Sequence, residues 1–153
     1  MKKINYKLLI FNILLPLTIG FIGSLLGGFN NFELINKPSF APPGFLFPIV
    51  WTILYILMGI SAYIISISND DNKKKAYTIY LIQLIVNGLW TLFFFRLKWY
   101  LFSFIWILLL IGLVITMIDN FKPISKLSAY LQIPYLLWLI FASILNISIY
   151  LLN

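Results

Sequence analysis

Apolar residues run along this chain in five long blocks, at roughly 8–28, 45–68, 76–95, 99–118 and 127–152, with mostly short polar breaks between them. Each block approaches or exceeds the ~20 residues a helix needs to cross ~30 Å of hydrocarbon. Membrane strands would need only ~9–11 residues of alternating polarity, and no such alternation appears. A backbone in lipid must satisfy its own hydrogen bonds, so helices are the spanning elements. The pattern predicts an all-α integral membrane bundle of five transmembrane helices, one domain over 1–153. Lys2, Lys3 and Lys7 precede the first block in the manner of a signal peptide. The block is long for one, however, and no A-x-A-type cleavage site follows. It is read as a mature helix, closed by the turn Gly27-Gly28-Phe29-Asn30-Asn31.

The breaks orient the bundle. With five spans, the start of the chain, the second connection and the fourth share one side and carry Lys2, Lys3, Lys7, Lys73, Lys74, Lys75, Lys122 and Lys126. The other side carries Lys37, Arg96 and Lys98. Positive residues collect on the cytoplasmic side. The expectation is a cytoplasmic (cell) membrane protein, its N-terminus inside and its C-terminus and first loop outside. That loop holds Pro38, Pro42 and Pro43. Prolines fix their own φ and restrict the residue before them, so the segment is stiff. It is read either as a preformed lid carrying Phe32 and Phe40 or as a cap on the helix ends.

Helical spacing then sorts the faces. Trp51, Tyr55, Met58 and Ala62 share one stripe of the second helix. Gln83, Asn87, Trp90, Thr91 and Phe94 share one on the third, and Trp138, Ala142, Leu145 and Asn146 one on the fifth. Packing and pocket lining use the same face, so both readings stand for Asn87 and Trp138. Trp99 and Tyr100, beside Lys98, read as interfacial belt residues. Gly23 and Gly27 form a G-x-x-x-G pair, read as packing within the bundle. Pro16 and Pro134 are expected to bend their helices and open carbonyls and space.

Composition agrees with the membrane reading and narrows the chemistry. Hydrophobic residues make up 62% of the 153 and charged ones 10%, against about 45–50% and 25% in soluble domains; the mean hydropathy is +1.00. The net charge of +7 forms no continuous basic stripe and is no nucleic-acid signature. With no Cys and no His, thiolate chemistry and the commonest metal ligand are absent, and no metal site is assigned. The acids Glu33, Asp70, Asp71 and Asp119 fall in loops or at helix ends, so no carboxylate pair serves acid–base catalysis and no buried charge marks ion coupling.

Three motifs bring these residues together: K-P-S-F-A-P-P at 37–43 followed by F-P-I-V-W-T-I-L-Y-I-L-M-G at 47–59, N-G-L-W-T-L-F-F at 87–94, and P-Y-L-L-W-L-I-F-A-S-I-L-N at 134–146. With five spans, the chain resembles the TspO/MBR family of translocator and tryptophan-rich sensory proteins, also called peripheral benzodiazepine receptors. The resemblance implies a homodimer whose bundle holds a pocket under the first loop. In that family the pocket takes protoporphyrin IX, haem, isoquinoline carboxamides and, in animals, cholesterol. Carried over, the ligand-binding residues are Pro38, Pro42, Pro43, Trp51, Tyr55, Asn87, Trp90, Thr91, Trp138 and Ala142; the lid reading of the loop adds Phe32 and Phe40.

Aromatic rings suit the faces of a porphyrin. Asn87 is placed to donate to a polar edge, and Lys37 or Arg96 to meet the propionates. Without His or Cys only Tyr and Met remain as axial groups, so metal-free porphyrin is expected to bind at least comparably to haem. No cofactor is required; the porphyrin enters as ligand. The chain departs from the family pattern where Asn31 and Phe32 replace a Trp-Tyr pair and Phe40 replaces a Trp. Tyr150 has no following Lys or Arg, so the animal cholesterol motif is missing. The expected function is a membrane receptor or sensor binding a flat hydrophobic ligand. The alternatives are a light- and oxygen-dependent porphyrin-degrading enzyme, with Trp51 and Trp138 as its redox-active side chains, or a porphyrin transporter.

Overall fold

The computed structural model describes residues 3–28 and 32–153. Among them, five helical segments are long and apolar enough to cross a membrane: Tyr6–Gly27, Leu46–Ser66, Lys73–Arg96, Tyr100–Phe121 and Lys126–Leu152. The helices are α1 (Tyr6–Gly27), α2 (Leu46–Ser66), α3 (Lys73–Thr91), α4 (Tyr100–Phe121), α5 (Lys126–Leu131) and α6 (Ile133–Leu152). Lys2 and the turn residues Phe29, Asn30 and Asn31 lie outside the described residues.

Local chemistry sets the ends. The Asn5 side chain accepts from Leu8 N at 3.1 Å, so α1 starts two residues before its apolar block. Lys73 opens α3, and its ammonium donates to Ser68 O at 2.6 Å. A cation there meets the carbonyl end of α2, which carries partial negative charge. Beyond Thr91 the chain widens into a π turn, Leu92–Arg96, where Leu97 N reaches Leu92 O at 3.0 Å.

The two prolines act differently from the expectation. At Pro134 the fifth span breaks outright: α5 ends at Leu131, Gln132 joins it to α6, and Pro134 occupies the first turn of α6. Proline is tolerated there because a first-turn N–H has no helical acceptor. Pro16 sits inside α1, which continues through it. Its missing N–H frees the Asn12 carbonyl, but that oxygen opens no space. A methyl group on Gly59 would lie 2.6 Å from Asn12 O and 2.5 Å from Ile13 Cα. Only glycine at 59 lets α2 approach the freed carbonyl this closely.

The helices close in the order α2, α1, α3, α4, α6, with α5 returning to α2. Ser61 and Ser128 pin α2 to α5, each hydroxyl donating to the other's carbonyl, at 2.8 and 3.2 Å. The other end of α1 leans onto α3. There the Thr91 hydroxyl donates to Gly23 O at 2.6 Å, and a methyl on Gly27 would lie 3.0 Å from Thr91 O. The G-x-x-x-G pair therefore packs within the chain. Because α1 touches α2 near one end and α3 near the other, a gap is left between α1 and α2.

Candidate functional site

That gap belongs to a cavity of about 720 Å³. Such volumes fall within the ~300–1,000 Å³ range of ligand sites. Of the residues singled out from the sequence, Phe32, Trp51, Tyr55, Asn87, Trp90, Thr91, Trp138 and Ala142 line it. Pro38, Phe40, Pro42 and Pro43 do not. They stand further along the loop, where Phe40 meets Phe141 edge-on at 6.5 Å between ring centres. The loop reaches the cavity through Phe32, Glu33 and Gly44 instead. Phe32 packs edge-on against Phe47 at 4.8 Å, and Phe47 against Trp138 at 5.8 Å. The loop is also tied to the end of α6: Asn36 N donates to Asn153 Oδ1 at 3.2 Å, and Asn153 Nδ2 to Asn36 O at 2.9 Å.

A polar chain braces the floor. The Tyr55 hydroxyl donates to Asn87 Oδ1 at 2.7 Å, and Asn87 Nδ2 donates to the Tyr135 hydroxyl at 2.8 Å. Tyr135 in turn donates to Gln83 Oε1 at 2.8 Å. Asn87 is thus held at both ends of its amide by tyrosines and is not the free donor expected from the sequence. Trp51 stacks on Tyr55 at 5.4 Å and meets Tyr135 edge-on at 6.1 Å, so the chain also sets the ring facing the cavity. Methyl groups added at Gly20 would run into the Tyr55 ring, which keeps α1 close over this floor.

The wall of α3 is aromatic. Trp90 stacks on Phe94 at 4.8 Å, and its indole donates to Asn146 Oδ1 at 3.1 Å. Asn146 Nδ2 is held by Tyr100 O at 2.8 Å. The π turn places Phe94 and Phe95 in one lining; π turns recur at functional positions. One donor remains. Trp138 Nε1 is buried and has no hydrogen-bond partner.

Charge at the site also departs from expectation. Glu33 lines the mouth, and neither Lys37 nor Arg96 belongs to the lining. The Lys37 ammonium is bonded to Glu33 Oε2 at 3.0 Å and lies 4.7 Å from the centre of the Phe32 ring. Laterally, the lining includes Phe21 and Ser24 of α1 and Phe45, Pro48 and Thr52 of α2, all exposed. The cavity therefore opens sideways between α1 and the start of α2.

Asn146, Phe47 and Tyr135 were within reach of sequence reasoning. Tyr135 and Asn146 fall on the Trp138 stripe, and Phe47 lies one turn before Trp51. Glu33 carries no periodic signal, because it sits in the loop.

These features define a five-helix integral membrane protein with an aromatic, largely apolar cavity that opens between two of its helices. The TspO/MBR family pattern matches residues 12–152. The tryptophan-rich protein TspO of Archaeoglobus fulgidus is 39% identical, over 97% of this chain and 99% of its own length. The protein CrtK of Rhodobacter capsulatus is 35% identical, over 80% of this chain and 78% of its own. The translocator protein of Ovis aries is 32% identical, over 87% and 82%. The chain belongs to the TspO/MBR family.

Proposed function

We propose that this protein is a membrane receptor or sensor that takes a flat hydrophobic ligand, a porphyrin such as protoporphyrin IX or haem, into the cavity. One observation carries the reading: a cavity of about 720 Å³ lined by the rings of Trp51, Trp90, Phe94 and Trp138. Aromatic faces of this kind suit the flat face of a macrocycle. The names of relatives, a sensory protein and a translocator protein, are in keeping with a ligand-responsive role. The sideways opening lets a lipid-soluble molecule enter without crossing water. The lysine-rich end is taken as cytoplasmic, in the cell membrane, with the loop outside and the chain a homodimer.

Titration of detergent-purified protein with protoporphyrin IX in the dark, following tryptophan fluorescence, tests this. The expected result is saturable quenching that weakens in Trp51→Phe/Trp138→Phe. Linear quenching, identical in both proteins, would mean partition into the detergent and end the reading. Illumination of the complex separates a receptor from a photo-oxidising enzyme: catalytic appearance of a new chromophore would favour the enzyme.

The mouth sharpens the test. A porphyrin dicarboxylate brings negative charge toward Glu33, which already holds Lys37. Glu33→Gln removes that charge and frees the ammonium. Exposed charge pairs are worth ~0.2–1 kcal/mol, so binding of protoporphyrin IX should tighten roughly twofold to fivefold, while its neutral dimethyl ester should be unaffected. A loss of affinity for the diacid would show that its carboxylates lie elsewhere.

A further inference from the structure

The lean of α1 leaves a second gap, at the lysine-rich end of the bundle. There α1 sits against α2: Gly59 lies under Asn12 and Ile13, and Asn5 N donates to the Tyr63 hydroxyl at 3.0 Å. Here α3 reaches α1 through a long side chain, the Tyr77 hydroxyl donating to Asn12 Oδ1 at 2.8 Å. The space between the two helices is a groove of about 460 Å³. Leu8 and Asn12 form its α1 wall, and Lys73, Lys74, Tyr77 and Thr78 its α3 wall. It shares no lining residue with the aromatic cavity.

Position along the helices sets what this groove meets. Lys73 and Lys74 open α3, and Leu8, Asn12 and Thr78 lie within the first two turns of their spans. Those spans hold 22 and 24 residues, slightly more than the ~20 that cross the hydrocarbon. Their first turns therefore stand at headgroup level, with the lysines outermost and Leu8 and the Tyr77 ring toward the acyl chains. The uncharged polar groups of the walls are already paired. Asn12 Nδ2 donates to Leu8 O at 2.8 Å, and the Thr78 hydroxyl to Lys74 O at 2.8 Å. The cations are not neutralised. The Lys73 ammonium is held in place by Ser68 O and keeps its charge. The Lys74 ammonium has no partner among the described residues. Asp70, Asp71 and Asp119 share this end of the bundle, yet the ion pair formed among the described residues is Lys37–Glu33, at the other end.

Two unneutralised ammonium groups above paired, largely carbon walls complement an anion that carries a hydrocarbon chain. Lysine serves phosphate as a point charge, and basic pockets between spans take anionic lipid headgroups. A free phosphate would meet the lysines and leave the walls below them uncovered; a phospholipid covers both. We propose that this groove binds one anionic phospholipid, its phosphate at Lys73 and Lys74 and an acyl chain passing Leu8 and Tyr77 between α1 and α3. The site does not rest on the porphyrin reading of the cavity.

Native mass spectrometry of the detergent-purified protein, titrated with dioleoylphosphatidylglycerol or dioleoylphosphatidylcholine, tests it. The expected result is one phosphatidylglycerol retained per chain in preference to phosphatidylcholine. Lys74→Gln should weaken that binding about fivefold, the effect of one lysine at a membrane surface, and leave phosphatidylcholine unchanged. Thr78→Phe keeps every charge but fills the groove, and should also lose the retained lipid. Lys126→Gln removes the same charge from the same end outside the groove lining and should leave the affinity unchanged. Equal weakening by Lys74→Gln and Lys126→Gln, or full retention in Thr78→Phe, would overturn the proposal in favour of diffuse attraction to the lysine-rich end. Displacement of the lipid by an equal concentration of glycerol 1-phosphate would overturn it in favour of a free phosphate.

Discussion

Asn87→Leu should destabilise the bundle by about 1–3 kcal/mol, read as unfolding in mixed detergent micelles, although leucine matches asparagine in size. Among the described residues the amide is the hydrogen-bond partner of the Tyr55 hydroxyl, which donates to it at 2.7 Å, and it donates to Tyr135 at 2.8 Å. Replacing it leaves the Tyr55 hydroxyl unpaired in a low-dielectric interior. An interhelical hydrogen bond in a membrane averages only ~0.6 kcal/mol, so the expected loss comes chiefly from the stranded hydroxyl. This gives the experiment a sign to check. Adding Tyr55→Phe to Asn87→Leu should recover part of the loss, since removing both partners is nearer neutral than removing one. Strictly additive losses would show that the two side chains are not coupled.

The same network shows how far the sequence could be read. The five spans, the inward stripes of α2, α3 and α6, and seven of the eight candidate residues that line the cavity follow from hydropathy, helical spacing and family motifs; the eighth, Phe32, came from the loop. Spacing says which side chains converge. It does not say which of them satisfy each other. Asn87 and Trp138 look alike as polar-capable groups well inside a span, yet the first is held at both ends by tyrosines and the second keeps a free N–H. That difference depends on Tyr135, brought to Asn87 by the break at Gln132. A one-dimensional pattern marks that break only as a proline. The loop was misread in detail for a similar reason. Proline reports stiffness, but Phe32, Glu33 and Gly44 reach the cavity because the Asn36–Asn153 pair ties the loop to α6. No local signal joins residues so far apart in sequence. Likewise, the expectation that Lys37 offers a counter-charge for propionates came from its side of the bundle, and the spacing gave no sign that Glu33 would pair with its ammonium.

Trp138 is where the ligand reading is most exposed to test. Its ring lies 5.8 Å from Phe47 and 5.4 Å from Phe141, with the remaining surface on the cavity. Trp138→Ala removes a stacking surface. At ~0.5–1.5 kcal/mol for an aromatic pair, porphyrin affinity should fall by about twofold to tenfold. Trp138→Phe keeps a smaller ring, so its effect should be smaller. Trp99→Phe is the matched control. Trp99 is 53% exposed and stacks on Phe93 outside the cavity lining, and its replacement should leave the affinity unchanged. The shift of the porphyrin absorption band is the appropriate signal, because these variants alter tryptophan fluorescence themselves. Equal losses at 138 and 99 would mean that indoles act only through the membrane interface. A graded loss confined to 138 would put the ligand against the α6 wall and make its flat face, rather than its carboxylates, the feature the protein recognises at depth.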